Sequence, residues 1–382
     1  MILSGGRQKI IVVAGARPNF MKIAPILRTM GKHPEHFDPL FVHTGQHYDD
    51  KMSRIFLDQL GLPDPYRDLG VGSGSHGAQT GQVLIRFEEV AMREKPDRIL
   101  VVGDVNSTIA CALAAAKLHI PVAHVEAGLR SNDRTMPEEI NRILTDQISD
   151  MLFIPSRDAA GNLLREGRPE KAIHFVGNVM IESLILFSRQ IDGSGILRAL
   201  DVERGGYGLV TLHRPSNVDE PEVLKRIFDA LARIGERIPV LFPAHPRTVK
   251  QMQSFGLEAG RGKGPGIRMM DPLGYFDFLC LEKNAALVLT DSGGVQEETT
   301  FFQVPCITLR ENTERPVTLT QGTNMLAGSD SGRIIEQGLA VLDGRTKRGS
   351  VPEFWDDRVS ERIVRVLMDD KGILMRQNRP GN

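Results

Sequence analysis

The sequence predicts a two-domain α/β protein in which each half is a parallel sheet covered by helices. Three observations carry this reading. Short β-branched runs alternate with stretches of helical spacing, the alternation starts afresh after Gly206, and 382 residues exceed what one core of ordinary size holds. Strands that alternate with helices in this way run parallel, because each helical crossover returns the chain in the same direction.

Residues 9–14 (KIIVVA) are the first apolar run. They end in Gly15-Ala16-Arg17-Pro18, after which Phe20, Ile23, Ile26, Leu27 and Met30 recur at helical spacing. Strand, Gly turn and helix in this order bring backbone N–H groups and the helix dipole to the C-terminal edge of the sheet, where anions bind. The turn after this run matches neither GxGxxG nor GxxxxGK[ST], which excludes a standard dinucleotide or Walker site there. Strand 40–43 with helix 49–60, strand 99–102 with helix 107–118, strand 122–125 with a helix opened by Pro137, and strands 151–154 and 173–176 continue the pattern. The Gly-rich segment 69–77 breaks it and is expected as a mobile loop.

Residues 1–180 are therefore expected to form an N-terminal Rossmann-like domain, 181–204 a linker, and 205–354 a second Rossmann-like domain. The second domain carries strands at 209–212, 240–242, 267–270, 287–289 and 306–309, a helix at 221–234 and a surface loop at 256–266. A last helix at 355–368 places Trp355, Val359, Ile363, Val366 and Leu367 at apolar positions. A ligand cleft between the facing strand ends completes the expected architecture, because open parallel sheets bind ligands there.

Composition narrows the partners. With 41% apolar and 25% charged residues the chain reads as an ordinary soluble globular protein. No run approaches the roughly 18 apolar residues of a spanning helix, and the first residues, MILSGGRQK, lack a signal-peptide core. A cytoplasmic protein without a membrane partner is expected. A net charge of −1 gives no electrostatic ground for nucleic acid as a partner. Cys111, Cys280 and Cys306 lie far apart with no CxxC and no zinc-type His spacing, so they read as reduced packing residues and no metal site is expected.

The stretch HVEAGLRSNDRTMPEEINR, from His124 to Arg142, packs carboxylates and basic side chains around a Gly turn directly after a strand. Functional residues concentrate on such loops. Glu126 ends the strand and has the better case there. Glu138 opens the next helix, and at i,i+4 from Arg142 it also reads as half of a surface ion pair. Asp104 follows another strand, with Ser107 as the expected helix cap. In the second half, Asp291-Ser292-Gly293-Gly294 lets a phosphate approach backbone closely, and Gln296, Glu297 and Glu298 on the next helix are within reach of a ribose. His213 and His245 each end a strand, where a lone His is more often structural. His43, Gln46 and His47 surround another strand end.

Taken in order, GARPNFMKIAP, HTGQHYD, GDVNST, HVEAGLR, MPEEINR, TLHRPSNVD, LTDSGGVQEE and ENTERP resemble the motifs of the non-hydrolysing UDP-N-acetylglucosamine 2-epimerases, from about residue 9 to residue 328. The resemblance implies a glycosyltransferase-B type fold, a homodimer, and a C-terminal helix (355–382) packing back on the N-terminal domain. It also implies the reaction. UDP is eliminated across C1″–C2″ to leave an enzyme-bound 2-acetamidoglucal, and is then added back with the proton delivered to the other face, with no cofactor. Carried over by motif, Asp104, Glu126 and Glu138 are the acid–base carboxylates and His213 assists departure of the diphosphate. Arg17 and Lys22 contact the nucleotide or its diphosphate. Ser292, Gly293 and Gly294 form the phosphate loop, Glu298 accepts the ribose, Phe278 neighbours the uracil, and Arg315 is a further cleft residue.

The chain departs from the family pattern at Asn19, where the family's first loop reads Arg-Pro-Glu, and in a shorter segment between Arg130 and Pro137. The Gln-His-x-x-Met and His-Arg-Arg segments of allosterically regulated members are not matched by Gln46-His47-Tyr48-Asp49 and His213-Arg214-Pro215. Four activities compete: the epimerase, on this or a related sugar such as a UDP-2,3-diacetamido-glucuronate; a hydrolysing epimerase sharing most motifs; a glycosyltransferase needing an acceptor; and a UDP-sugar sensor, against which the three carboxylates argue.

Overall fold

Ile10, Ile11, Val12 and Val13 are buried on both faces of β1 (Gln8–Ala14), as a strand in the middle of a parallel sheet must be. The computed structural model describes residues 7–45, 57–257 and 266–370. One compact unit comprises the chain up to Leu186 together with the segment from Glu353 onward, and Phe187–Pro352 forms the other.

In the first unit β1 is flanked by β2 (Phe37–His43) and β4 (Arg98–Val102); β3 (Arg67–Asp68), β5 (Val122–Val125), β6 (Met151–Ile154) and β7 (Ile173–Phe175) complete the order β3-β2-β1-β4-β5-β6-β7. Every pair is parallel. Val12 lies opposite Phe41 on one side and Leu100 on the other. Because the chain leaves β1 in one direction and resumes at β4 in the other, the topological switch falls between them, and the loops after β1 and β4 open onto the ligand-binding edge. The core under this sheet gathers Ile11, Val13, Val42, Phe87 and Val101.

No element was expected between the Gly-rich segment and the strand at 99. Helix His76–Glu94 fills the gap before β4, burying Val83, Phe87, Val90 and Ala91, and Ser75 caps it by accepting from Ala78 N. The Gly-rich segment at 69–77 is pinned: Val71 N and Gly72 N donate to Thr44 O and Gly45 O, and Arg86 donates to Leu69 O and Gly70 O. Most of the helix expected at 49–60 lies outside the described residues, as does residue stretch 258–265 of the expected surface loop. Ser107 is not a cap. Helix Asn106–Lys117 starts from Val105, and the Ser107 hydroxyl instead pairs with Thr44 Oγ1 at 2.7 Å.

The expected linker at 181–204 is helical. Val179–Leu186 belongs to the first unit, while Ser188–Asp192 and Ile196–Leu200 pack on helix Tyr275–Lys283 of the second. Glu182 is held in place because Ser360 N and Oγ donate to its carboxylate. The last helix begins at Val359 rather than residue 355. It packs on helix Arg17–Met30, with Thr29 and Ser360 hydroxyls 2.8 Å apart, while Trp355 Nε1 donates to Pro155 O.

The second unit repeats the plan. Strands β8 (Gly208–Thr211), β9 (Val240–Pro243), β10 (Ile267–Met270), β11 (Leu287–Thr290), β12 (Cys306–Thr308) and β13 (Asn324–Leu326) are ordered β10-β9-β8-β11-β12-β13, all parallel. Helix Pro221–Gly235 lays Leu224, Ile227, Leu231 and Ile234 on Val210, Phe242, Leu289 and Ile307. The switch falls between β8 and β11, which selects the loops carrying His213 and Asp291.

Candidate active site

In the first unit the loops after β1, β4 and β5 meet. Asn19, in the first turn of helix Arg17–Met30, accepts from Gly15 N and Ala16 N and donates to Val102 O at 3.1 Å, tying the turn after β1 to the end of β4. Gly103 follows with φ +68, and a Cβ there would stand 3.1 Å from Lys22 Nζ. Glu126 ends β5 at φ +69, a left-handed conformation that costs a non-glycine residue on the order of 1 kcal/mol or more and so must be held by its surroundings. Its side chain is buried. Oε2 lies 2.5 Å from Lys22 Nζ, and Oε1 is buried with no hydrogen-bond partner among the described residues. Lys22, expected against the nucleotide, is thus a partner of the carboxylate.

Arg142 brings in the neighbouring carboxylates. It is 2% exposed and so not a surface group: its guanidinium reaches Asp104 Oδ2 at 2.5 Å and Glu139 Oε2 at 2.6 Å. Glu139 also accepts from Ser131 N, Ser131 Oγ and Asn132 N, which closes the short loop before Pro137. Burial pushes the Glu139 carboxyl up, but the Ser131 N–H and the Arg142 guanidinium outweigh it and hold the group below its ordinary range. Glu138 stands beside it, partly exposed, in the first turn of helix Pro137–Ile148. Asp104 and Glu139 therefore share one guanidinium.

In the second unit His213 Nδ1 lies 2.8 Å from Asp291 Oδ1, and the imidazole is half-exposed. Asp291 is fully buried and also accepts from His213 N, Arg214 N and Asn217 Nδ2. Burial raises its carboxyl, but the His213 hydrogen bond and charge and the two backbone N–H groups prevail and hold it below the ordinary range. His213 is thereby fixed through one nitrogen with the other left to face away from Asp291. His245 has the bland role: its Nδ1 accepts from Arg247 N and starts helix Pro246–Ser254.

Ser292, Gly293 and Gly294 run from the end of β11 into helix Gly293–Phe302. The two glycines do different work. A Cβ on Gly293 would fall 2.4 Å from Arg315 Nη1 and from Glu314 Oε1, whereas one on Gly294 meets nothing nearer than Ser292 Oγ at 4.0 Å. The first is imposed by packing, and the second leaves room for a ligand to approach the backbone. Of the three residues expected at a ribose, Gln296 and Glu297 are engaged inside the unit: Gln296 Oε1 accepts from Thr313 Oγ1 and Asn324 Nδ2, and Glu297 Oε1 pairs with Arg315 Nε at 2.8 Å. Glu298 accepts from Tyr275 Oη at 3.2 Å. Arg315, 7% exposed, is locked between Glu297 and Glu314 under the Ser-Gly-Gly turn. Phe278 is partly buried against the cluster around Tyr207, Leu209 and Leu281.

The side chain of Arg17, and Gln46 and His47, lie outside the described residues. His43 is occupied by Asp68, 2.8 Å away. Among the described residues no group of three or more His, Cys, Asp or Glu side chains is placed to hold a metal ion, and no helix is long and apolar enough to cross a membrane. Sequence reasoning named Asp291 only as part of the Asp-Ser-Gly-Gly segment and gave Glu139 no role in the site. Asp291 stood in plain view at a strand end; Glu139 had no signal separating it from Glu138.

Comparison with known proteins places this geometry among relatives. A family model described as UDP-N-acetylglucosamine 2-epimerase matches residues 29–368. The UDP-N-acetylglucosamine 2-epimerase of Methanocaldococcus jannaschii is 45% identical over 364 residues, covering 94% of this chain and 98% of the relative. The UDP-2,3-diacetamido-2,3-dideoxy-D-glucuronate 2-epimerase of Pseudomonas aeruginosa is 43% identical over 362 residues, covering 94% and 99%. Among solved structures, the Methanocaldococcus jannaschii UDP-GlcNAc 2-epimerase in complex with UDP-GlcNAc and UDP superposes with a TM-score of 0.86 at 44% identity, covering 95% of this chain and 100% of that one.

Proposed function

The chain belongs to the UDP-N-acetylglucosamine 2-epimerase family, and from that premise we propose that it interconverts UDP-N-acetylglucosamine and UDP-N-acetylmannosamine without hydrolysing them. The observation that supports this most is Glu126: a buried carboxylate with one oxygen on Lys22 Nζ and the other without a hydrogen-bond partner among the described residues. Such a group is built to exchange a proton with a ligand.

The C2″ proton is not acidic, so removing it requires a leaving group on the adjacent carbon. The C2″–H bond breaks to a carboxylate as the C1″–O bond breaks to UDP, leaving a C1″=C2″ double bond. Re-addition of UDP at C1″ with a proton arriving at the opposite face of C2″ gives the epimer. Asp104, Glu126 and Glu138 are the groups for the sugar side. The charge that grows on the diphosphate is assigned to the second unit: His213, positioned by Asp291, and the N–H groups at the start of helix Gly293–Phe302, with Glu298 for the ribose and Phe278 for the uracil. Arg17 is assigned to the diphosphate. The same reading makes the protein a cytoplasmic homodimer, a mass that light scattering measures directly.

The deciding experiment is turnover in D₂O followed by NMR. UDP-N-acetylmannosamine carrying deuterium at C2″ is the expected product; free N-acetylmannosamine with an equal amount of UDP would instead identify a hydrolysing enzyme, and no exchange would remove the reading. The 43% identical glucuronate epimerase supports a second reading, in which the same chemistry acts on the diacetamido sugar. Both substrates offered in competition separate the two by kcat/KM.

A further inference from the structure

His124 lies within β5, two residues before Glu126, and is fully buried. Its ring bridges two groups. Nε2 is 2.8 Å from Gly103 O and Nδ1 is 2.7 Å from Asp146 Oδ1. A carbonyl oxygen only accepts, so Nε2 carries a hydrogen. Asp146 is also fully buried, and its second oxygen accepts from Gly128 N at 3.0 Å and from the Arg130 guanidinium at 2.7 Å. The Arg130 guanidinium and the Gly128 N–H on that oxygen favour the ionised carboxylate whatever the state of His124. An ionised carboxylate only accepts as well, so Nδ1 also carries a hydrogen. Moving that proton onto Asp146 would leave the buried Arg130 facing a neutral acid. Glu166, on Arg130 Nε and Nη2 at 2.8 and 2.6 Å, completes a cluster of two cations and two anions.

We propose that His124 works as a doubly protonated imidazolium that clasps the two turns bearing Asp104 and Glu126, and is thus a positioning residue for both carboxylates. Its ring holds Gly103 O, one residue before Asp104. The backbone closes the same clasp, since Gly103 N donates to Val125 O at 3.0 Å, one residue before Glu126. Gly103 and Glu126 both adopt positive φ, and through Asp146 the ring also fixes the Gly128 turn that follows. A neutral imidazole can donate on one side only, so it would release either Gly103 or Asp146. The inference rests on the reading that Asp104 and Glu126 act on the substrate.

The test uses the full chain labelled with ¹⁵N-histidine. At neutral pH a long-range ¹⁵N–¹H spectrum should show both ring nitrogens of His124 protonated, the ring being assigned by its loss in His124→Gln. A spectrum with Nδ1 unprotonated overturns the proposal. Asp146→Asn keeps the shape and an acceptor but removes the charge. It should return His124 to a singly protonated ring and lower kcat by about 100-fold with KM changed by less than about threefold, because the clasp sets geometry and not affinity. A neutral ring with normal kcat overturns the positioning role. Should His124→Gln not fold, the ring that shifts in Asp146→Asn supplies the assignment. Full activity of Glu126→Gln would remove the acid–base reading instead, a result the protonation measurement does not depend on.

Discussion

Lys22 Nζ and Glu126 Oε2 stand 2.5 Å apart with both side chains nearly shut off from solvent. One oxygen of the carboxylate is thereby saturated by a cation, while Oε1 has no protein partner among the described residues. Glu126→Gln is expected to lower turnover by about 10²–10⁴-fold, the range for loss of a general acid or base. UDP affinity should hold, since Glu126 is assigned to the sugar and not to the nucleotide. Isothermal titration with UDP beside a turnover assay reads both, and near-wild-type turnover would count against the role. The variant also strands a buried ammonium, so the first unit should lose about 3–5 kcal/mol by chemical denaturation.

Asp291→Asn tests the second unit. An amide cannot accept from His213, Arg214 and Asn217 as the carboxylate does, and it ceases to fix the imidazole. The expected loss in kcat is about 10²-fold or more. The sign of the pH effect follows from the lowered carboxyl. Its stabilising contribution is present in full above the ordinary value of 3.8 and is lost as pH falls through the lower folded value. Thermal melts of wild type and Asp291→Asn should therefore converge only at strongly acid pH; a constant gap would refute the assignment.

The paired glycines separate packing from binding. Gly293→Ala drives a methyl against Arg315 and Glu314 and should cost about 1–3 kcal/mol of stability. Gly294→Ala meets open space, so it should leave the melting temperature unchanged while weakening UDP. Equal thermal losses for the two variants would show that the second glycine is also structural.

Glu282 predicts an alkaline effect. It is fully buried on helix Tyr275–Lys283, no donor reaches either oxygen among the described residues, and Glu298 is its charged neighbour. Burial first, then the Glu298 charge, pushes its carboxyl well above the ordinary 4.5. A raised carboxyl stabilises below the unfolded value, and that contribution is lost as pH rises toward the folded one. Glu282→Gln should thus match wild type near pH 4.5 and gain on it steadily as pH rises. A difference that does not change with pH would show that Glu282 is ionised in the fold.

The regular elements were legible because their residues repeat: β1 and β11 carry the apolar runs IIVVA and LVL, and helix Pro221–Gly235 shows its apolar face every third or fourth position. Helix His76–Glu94 was hidden although Val83, Phe87, Val90 and Ala91 share a face, because the Gly-rich segment 69–77, which runs into its first turn, reads as a loop. Strand β3 has two residues, too few for any period. In the site, motif order pointed to Asp104, Glu126 and His213 by number. It could not show which neighbours hold them. Whether Lys22 faces a phosphate or Glu126, and whether Arg142 lies at the surface or against Asp104, depends on contacts between residues 104 and 38 positions apart in the chain.

The first unit takes its last helix from the far end of the chain: Ser360 meets Glu182 and Thr29, and Trp355 meets Pro155. During synthesis, Phe187–Pro352 leaves the ribosome before that helix exists, so the unit that begins first is finished last. Until Val359, Ile363 and Leu367 arrive, the apolar side of helix Arg17–Met30 has no cover from them. A chain stopped at Pro352 is therefore expected to keep a protease-resistant core only in its second half. Equal resistance of both halves would show that the first folds without its late arrival.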